Sequence, residues 1–196
     1  MEDLDDLLEG TPSDAAEEAE EAEAVEVPID EATAMWVVHA RQALISTAGE
    51  YHGYITYDEL AEIVQDKAGV VTTLPTHQWL GAVLAAVADD CAARGEPALT
   101  ALCVRKDETV GPAYRRGVTR TGEAAPDDLD EHAAEARLEC YRYFGAAIPA
   151  GGGRAALTPK VSEARRRAAR LNPAPAAVCP TCFTQLPFTG RCDACG

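Results

Sequence analysis

Three stretches of the chain decide its fold: ITYDELAEIVQDKAG (residues 55–69), THQWLGAVLAAVADDCAARG (76–95) and LTALCVRKDETVGPAY (99–114). In the first, Thr56 precedes Tyr57, with Asp58 and Glu59 near the positive end of a helix and Leu60, Ile63 and Val64 on its apolar stripe. In the second, Leu80, Val83, Leu84, Val87 and Cys91 recur at i, i+3, i+4, i+7 and i+11, the mark of one buried helical face. Gly69 and Gly95 close these helices. In the third, Leu99 to Arg105 reads as a strand, Lys106-Asp107-Glu108 as a turn, and Thr109 to Tyr114 as a return strand.

Upstream, Asp30 is placed to cap a helix that carries Met35, Val38, Leu44 and Ile45 and ends near Gly49, and Tyr54-Ile55-Thr56 is a short extended piece. The order helix, strand, helix, helix, strand, turn, strand is that of a winged helix-turn-helix. We therefore expect an α+β fold, with a winged-helix-like domain over residues 29–145 and further helices appended. The segment Ile55-Thr-Tyr-Asp-Glu-Leu-Ala61 resembles the tyrosine-glycine-glutamate-leucine-alanine opening of the helix-turn-helix in alkyltransferase-like DNA-binding domains. Asp58 stands where that family has glycine, and its reactive Pro-Cys-His-Arg segment is absent, so methyl transfer is not implied. With Pro97-Ala-Leu-Thr-Ala-Leu-Cys-Val104 and Val110-Gly-Pro-Ala-Tyr114, the region also resembles bacterial domains that accompany DNA-processing proteins. Arginines (14) far outnumber lysines (3) and alanine is abundant, which resembles proteins of GC-rich actinobacteria and their phages.

Beyond this domain, a helix is expected from about Asp127 to Phe144, with Leu129, Ala133, Ala136, Cys140 and Phe144 facing inward. Residues 146–172 read as a linker and a basic helix. Pro149-Ala-Gly-Gly-Gly153 is a flexible connector, and Thr158-Pro159 starts a helix with the hydroxyl at the cap. That helix carries Arg165, Arg166, Arg167 and Arg170 before Asn172-Pro173 stops it.

The final unit, residues 173–196, is expected to be a small zinc ribbon. Cys179-Pro-Thr-Cys182 and Cys192-Asp-Ala-Cys195 are two Cys-x2-Cys pairs, each able to turn two sulfurs toward one tetrahedral ion. The segment is too short for a core of its own, so Zn2+ would supply most of its folding energy. Iron suits the same four thiolates, and disulfide or redox pairing are the other readings. No charged-then-apolar leader opens the chain, which points to the cytoplasm and away from disulfides. A closed four-thiolate shell leaves no place for a water, so the metal is structural. Cys91, Cys103 and Cys140 lie in apolar runs and read as small buried side chains.

The net charge of −16 is unevenly spread. Residues 1–31 hold 14 acidic and no basic side chains, whereas residues 154–196 hold seven bases and two acids. Residues 1–28 have little to bury and read as a disordered acidic tail. It is either a solubilising segment or a mask for a basic surface.

No catalytic set is legible. The four histidines are scattered, and Gly151-Gly152-Gly153-Arg154 lacks the lysine and the preceding strand of a phosphate loop. Neither a small-molecule substrate nor a membrane is expected as a partner. Nucleic acid and protein are. In a helix-turn-helix the second helix would present Gln78 to an adenine edge. Arg105 and Lys106 on the wing, Arg115 and Arg116 after it, and Arg165, Arg166, Arg167 and Arg170 would neutralise phosphates. The leading expectation is a zinc-binding, non-enzymatic accessory or regulatory protein of nucleic acids. The alternative is a protein-interaction adaptor that uses the winged helix and the ribbon, whose knuckles carry Phe183, Leu186 and Phe188.

Overall fold

The computed structural model describes residues 27–119, 124–172, 178–186 and 190–195. The acidic tail lies outside these residues, apart from Val27 and Pro28, and so does Arg120. The described architecture is mainly helical: α1 (Ile29–Ala48), β1 (Ile55–Thr56), α2 (Tyr57–Ala68), α3 (Thr76–Arg94), β2 (Cys103–Val104), α4 (Pro112–Thr119), α5 (Leu129–Tyr143) and α6 (Pro159–Leu171).

Helix α1 buries Ala32, Trp36, Ala40, Leu44 and Ala48, a strict every-fourth-residue stripe whose alanines admit close neighbours. Met35 and Val38 stay exposed. Pro28, not Asp30, occupies the N-cap, and no side chain caps this helix. Asp30 and Glu31 lie in the first turn, where they favour the positive end of the dipole. Trp36 is the centre of the core. Its ring lies 4.3 Å from that of Trp79, and its indole N–H donates to the Val70 carbonyl at 3.0 Å. Around it pack Leu44, Leu60, Val64, Leu80, Val83, Leu84 and Val87. Each such side chain contributes about 1.5–3 kcal/mol when withdrawn from water.

Helix α2 begins with a capping box: the Glu59 amide donates to Thr56 Oγ1 at 3.3 Å, and the Thr56 amide donates to Glu59 Oε2 at 2.7 Å. These bonds hold the Glu59 carboxyl below its ordinary value. Gly69 and Gly95 end α2 and α3 at φ 63° and 66°, a conformation that glycine adopts without a Cβ clash. The α2–α3 connection, residues 69–75, is braced where Gln65 Oε1 accepts from the Thr72 amide at 2.9 Å.

Two strand expectations fail, each for a physical reason. Leu99–Leu102 forms a 3-10 turn, and only Cys103–Val104 remains extended. Leu99 through Val104 are all buried, so the run never alternates, and an apolar run of this length suits a buried turn as well as a strand. The return strand shrinks to a single antiparallel bridge, Val104 to Val110, because Pro112 starts α4. The two-stranded sheet is parallel, with Ile55 opposite Cys103 and Thr56 opposite Val104. The fold is therefore mostly helical with a very small sheet. Between Val104 and Val110 the chain turns tightly, the Arg105 amide donating to the Thr109 carbonyl at 2.9 Å.

Helix α5 is capped by Asp128, which accepts from the amides of Asp130 and Glu131, both at 3.0 Å. The segment after it is tied down rather than loose. Arg142 donates through Nε and Nη2 to the Gly152 carbonyl at 3.0 and 2.7 Å, and the Tyr51 hydroxyl both accepts from the Arg154 amide and donates to its carbonyl.

Thr158 occupies the N-cap of α6 with Pro159 next, as expected, but its hydroxyl makes no cap bond. Its hydroxyl donates to the Glu108 carbonyl at 2.9 Å, docking the start of the helix on the 105–109 turn. Glu108 completes the joint. It is buried, sits at φ 64°, and accepts from the Lys160 amide at 2.8 Å through Oε2. Beyond Val161, α6 buries no apolar side chain. No helix among the described residues is long and apolar enough to cross a membrane.

Candidate metal centre and basic surface

The first cysteine pair sits in a knuckle. Val178 and Gln185 form an antiparallel bridge, the Cys179 amide donates to the Thr184 carbonyl at 2.8 Å, and the Phe183 amide donates back to the Cys179 carbonyl at 2.9 Å. Closing this loop puts Phe183 at φ 56°, while Gly190 at φ 72° precedes the second pair.

The four sulfurs of Cys179, Cys182, Cys192 and Cys195 all lie within 4.8 Å of one another. Close pairs are Cys179–Cys195 at 3.6 Å, Cys182–Cys192 at 3.4 Å and Cys192–Cys195 at 3.4 Å. A tetrahedral ion with sulfur at about 2.3 Å requires sulfurs about 3.8 Å apart. A disulfide requires about 2.05 Å. Four sulfurs converging on one point at these separations fit a single metal ion, and the all-thiolate donor set suits zinc.

Backbone amides favour the charged form of two of the ligands. The amides of Cys182 and Thr181 lower the Cys179 thiol, and that of Ala194, with the Cys182 sulfur, brings Cys192 to about 6. Cys195, against the sulfurs of Cys182, Cys192 and Cys179, is pushed up to about 12. A cation at the centre would relieve that repulsion and deprotonate the set. The other three cysteines are buried, and desolvation raises the thiols of Cys103, Cys140 and Cys91. They are packing residues.

The basic residues fall into distinct groups. Gln78 is exposed on the first turn of α3. Arg105 and Lys106 are exposed on the turn between Val104 and Val110, and Arg115 and Arg116 are exposed on α4 rather than beyond a strand.

Burial lifts the Tyr57 hydroxyl at the start of α2 to about 12, an effect the positive charges of Arg105 and Arg116 partly offset. A Cβ placed on Gly81 would sit 3.4 Å from Nη2 of Arg116, so this guanidinium crosses α3 one turn beyond Gln78. Arg116 of α4 thus lies against the start of α3, whereas the first turn of α2 carries Asp58 and Glu59 and Arg105 pairs with Asp107 at 3.8 Å.

Arg165 belongs elsewhere. It pairs with Asp128 at 2.6 Å and Glu131 at 3.0 Å. Arg166, Arg167 and Arg170 are exposed and meet no carboxylate among the described residues. At the far end of α3, Asp90 is neutralised by Arg41 at 2.6 Å and Arg94 at 2.9 Å. His132 Nδ1 meets the Tyr114 hydroxyl at 2.6 Å.

Sequence reasoning missed Glu108 and Arg137. The signal for Arg137 is its place on the apolar stripe of α5, four residues after Ala133 and four before Tyr141. Glu108, read only as a turn residue, offered none. Compared with protein-family models, curated proteins and solved structures, the chain matches none.

Proposed function

We propose that this protein is a zinc-stabilised, non-enzymatic accessory factor that contacts nucleic acid through the surface of Gln78, Arg105, Lys106, Arg115 and Arg116. The observation that supports the reading is the Arg116 guanidinium lying close over Gly81 of α3, with Arg105, Lys106 and Arg115 exposed on the neighbouring segments. A glycine there lets the Arg116 guanidinium lie close to the helix, and guanidinium groups suit the phosphates of a backbone.

In this reading α2 and α3 act as a helix-turn-helix, and the 105–109 turn acts as a shortened wing. Arg166, Arg167 and Arg170 on α6 add phosphate contacts, and the four-cysteine ribbon is a second gripping element. On the first turn of α3, Gln78 would pair with an adenine edge.

The test is the salt dependence of duplex DNA binding. Each phosphate contact contributes about 0.9 to the slope of log affinity against log salt. Arg105→Ala combined with Arg116→Ala should reduce the slope by roughly 1.8, and Arg165→Ala should leave it unchanged. A protein that binds neither duplex nor single-stranded nucleic acid at low salt rules the proposal out.

A second reading, a protein-interaction adaptor, is favoured by Phe183. Its ring is 78% exposed at the tip of the knuckle, in a backbone conformation that strains any residue but glycine. Loss of a partner on Phe183→Gly, with metal content intact, would establish that role.

A further inference from the structure

Arg137 stands on the inward stripe of α5 and is only 3% exposed. Its Nη1 donates to the Ala101 carbonyl at 3.1 Å and its Nη2 to the Ala156 carbonyl at 3.3 Å. Both acceptors are neutral, and among the described residues no carboxylate forms an ion pair with it. Desolvation holds its pKa below the ordinary arginine value. A buried cation without an anion is strongly disfavoured, and a guanidinium offers five N–H donors, of which these two bonds engage two.

Arg137 lines a cavity of about 320 Å³ between the 52–54 loop, α5 and residues 156–159. Its walls include His52, Tyr54, Tyr141, Leu157 and Pro159. Most other polar groups here are already engaged. The Tyr141 hydroxyl donates to the Gly53 carbonyl at 2.7 Å and that of Thr158 to the Glu108 carbonyl at 2.9 Å. Glu108 is in turn engaged by Lys160, 3.3 Å away. Arg137 is left as the fixed positive charge of a pocket with aromatic sides, and His52 is held in its wall at φ 68°.

We propose that this cavity binds a small molecule bearing an oxyanion, a phosphate or a carboxylate, on a flat apolar body, with Arg137 as the anchor. The forked donors of a guanidinium match either oxyanion, and the tyrosine rings suit a planar body. The cavity is at the lower end of the range for small-molecule sites. The inference does not depend on nucleic-acid binding by the α3 and α4 surface.

The experiment is calorimetric titration of the full chain at constant ionic strength with phenyl phosphate, with benzoate and with phenol. Saturable binding of phenyl phosphate, of benzoate or of both is expected, and the tighter anion identifies the group recognised. Phenol should not bind.

Arg137→Lys keeps a charge but loses the fork, and should weaken binding at least about tenfold. Where that variant fails to fold, Ala156→Trp decides. It leaves the guanidinium and the backbone carbonyl in place but fills the mouth of the cavity, and should weaken binding by a similar factor. No saturable binding of either anion overturns the proposal, as does binding that survives Ala156→Trp. Arg137 is then a clamp on two carbonyls and nothing more.

Discussion

Replacing Glu108 with alanine tests what holds the basic helix to the rest of the protein. The substitution removes the acceptor of the Lys160 amide at 2.8 Å and the partner of the Lys160 ammonium at 3.3 Å. A lost charged cap at a helix start costs about 1–2 kcal/mol. The ion pair adds little, because the Lys160 side chain is 59% exposed. A net loss of about 2 kcal/mol corresponds to roughly 30-fold more frequent opening of α6.

The effect should be local, since α6 buries only Val161 and a helix of this length is marginal on its own. Hydrogen exchange measured by mass spectrometry would show faster exchange over residues 159–171 and unchanged exchange over residues 76–94. Glu108→Gly should open α6 less, because glycine relieves about 1 kcal/mol of strain at φ 64°. Burial raises the Glu108 pKa, but the Lys160 amide and ammonium and the Tyr54 hydroxyl outweigh it and leave the pKa below the ordinary value. The joint is therefore fully formed above the ordinary glutamate pKa and is lost as pH falls through the lower folded value. Exchange over residues 159–171 that is the same in Glu108→Ala as in the native protein would refute this account of the joint.

The purified protein should contain about one zinc per chain, and Cys→Ser at Cys179, Cys182, Cys192 or Cys195 should release it and unfold the ribbon while α1 to α5 keep their melting transition; elemental analysis with calorimetry checks both parts. Trp36→Phe leaves the buried Val70 carbonyl without its 3.0 Å donor and thins the contact with Trp79, so urea denaturation should show a loss of about 2 kcal/mol. A loss under about 0.5 kcal/mol would mean that the core closes over the change. Removing residues 1–26, which stops short of the Pro28 cap, should leave the melting temperature nearly unchanged. If the tail masks the basic surface, the same deletion should strengthen DNA binding at low salt.

The sequence by itself determined the features set by local chemistry. Thr56 and Glu59 stand three residues apart, so their capping box is written in the chain, and the spacing from Leu80 to Cys91 fixes the buried face of α3. The two Cys-x2-Cys pairs likewise determine the four-cysteine cluster, because each pair needs only one tight turn. Tertiary structure decided what depends on neighbours distant in sequence. The run from Leu99 to Val104 became mostly a 3-10 turn because it is enclosed on every side, which removes the alternation that marks a strand. Arg165 reads like its neighbours in sequence, yet the docking of α6 brings Asp128 and Glu131 close enough to pair with it. Arg137 and Glu108 acquired their roles for the same reason. A charge takes its meaning from its surroundings, and folding alone supplies them.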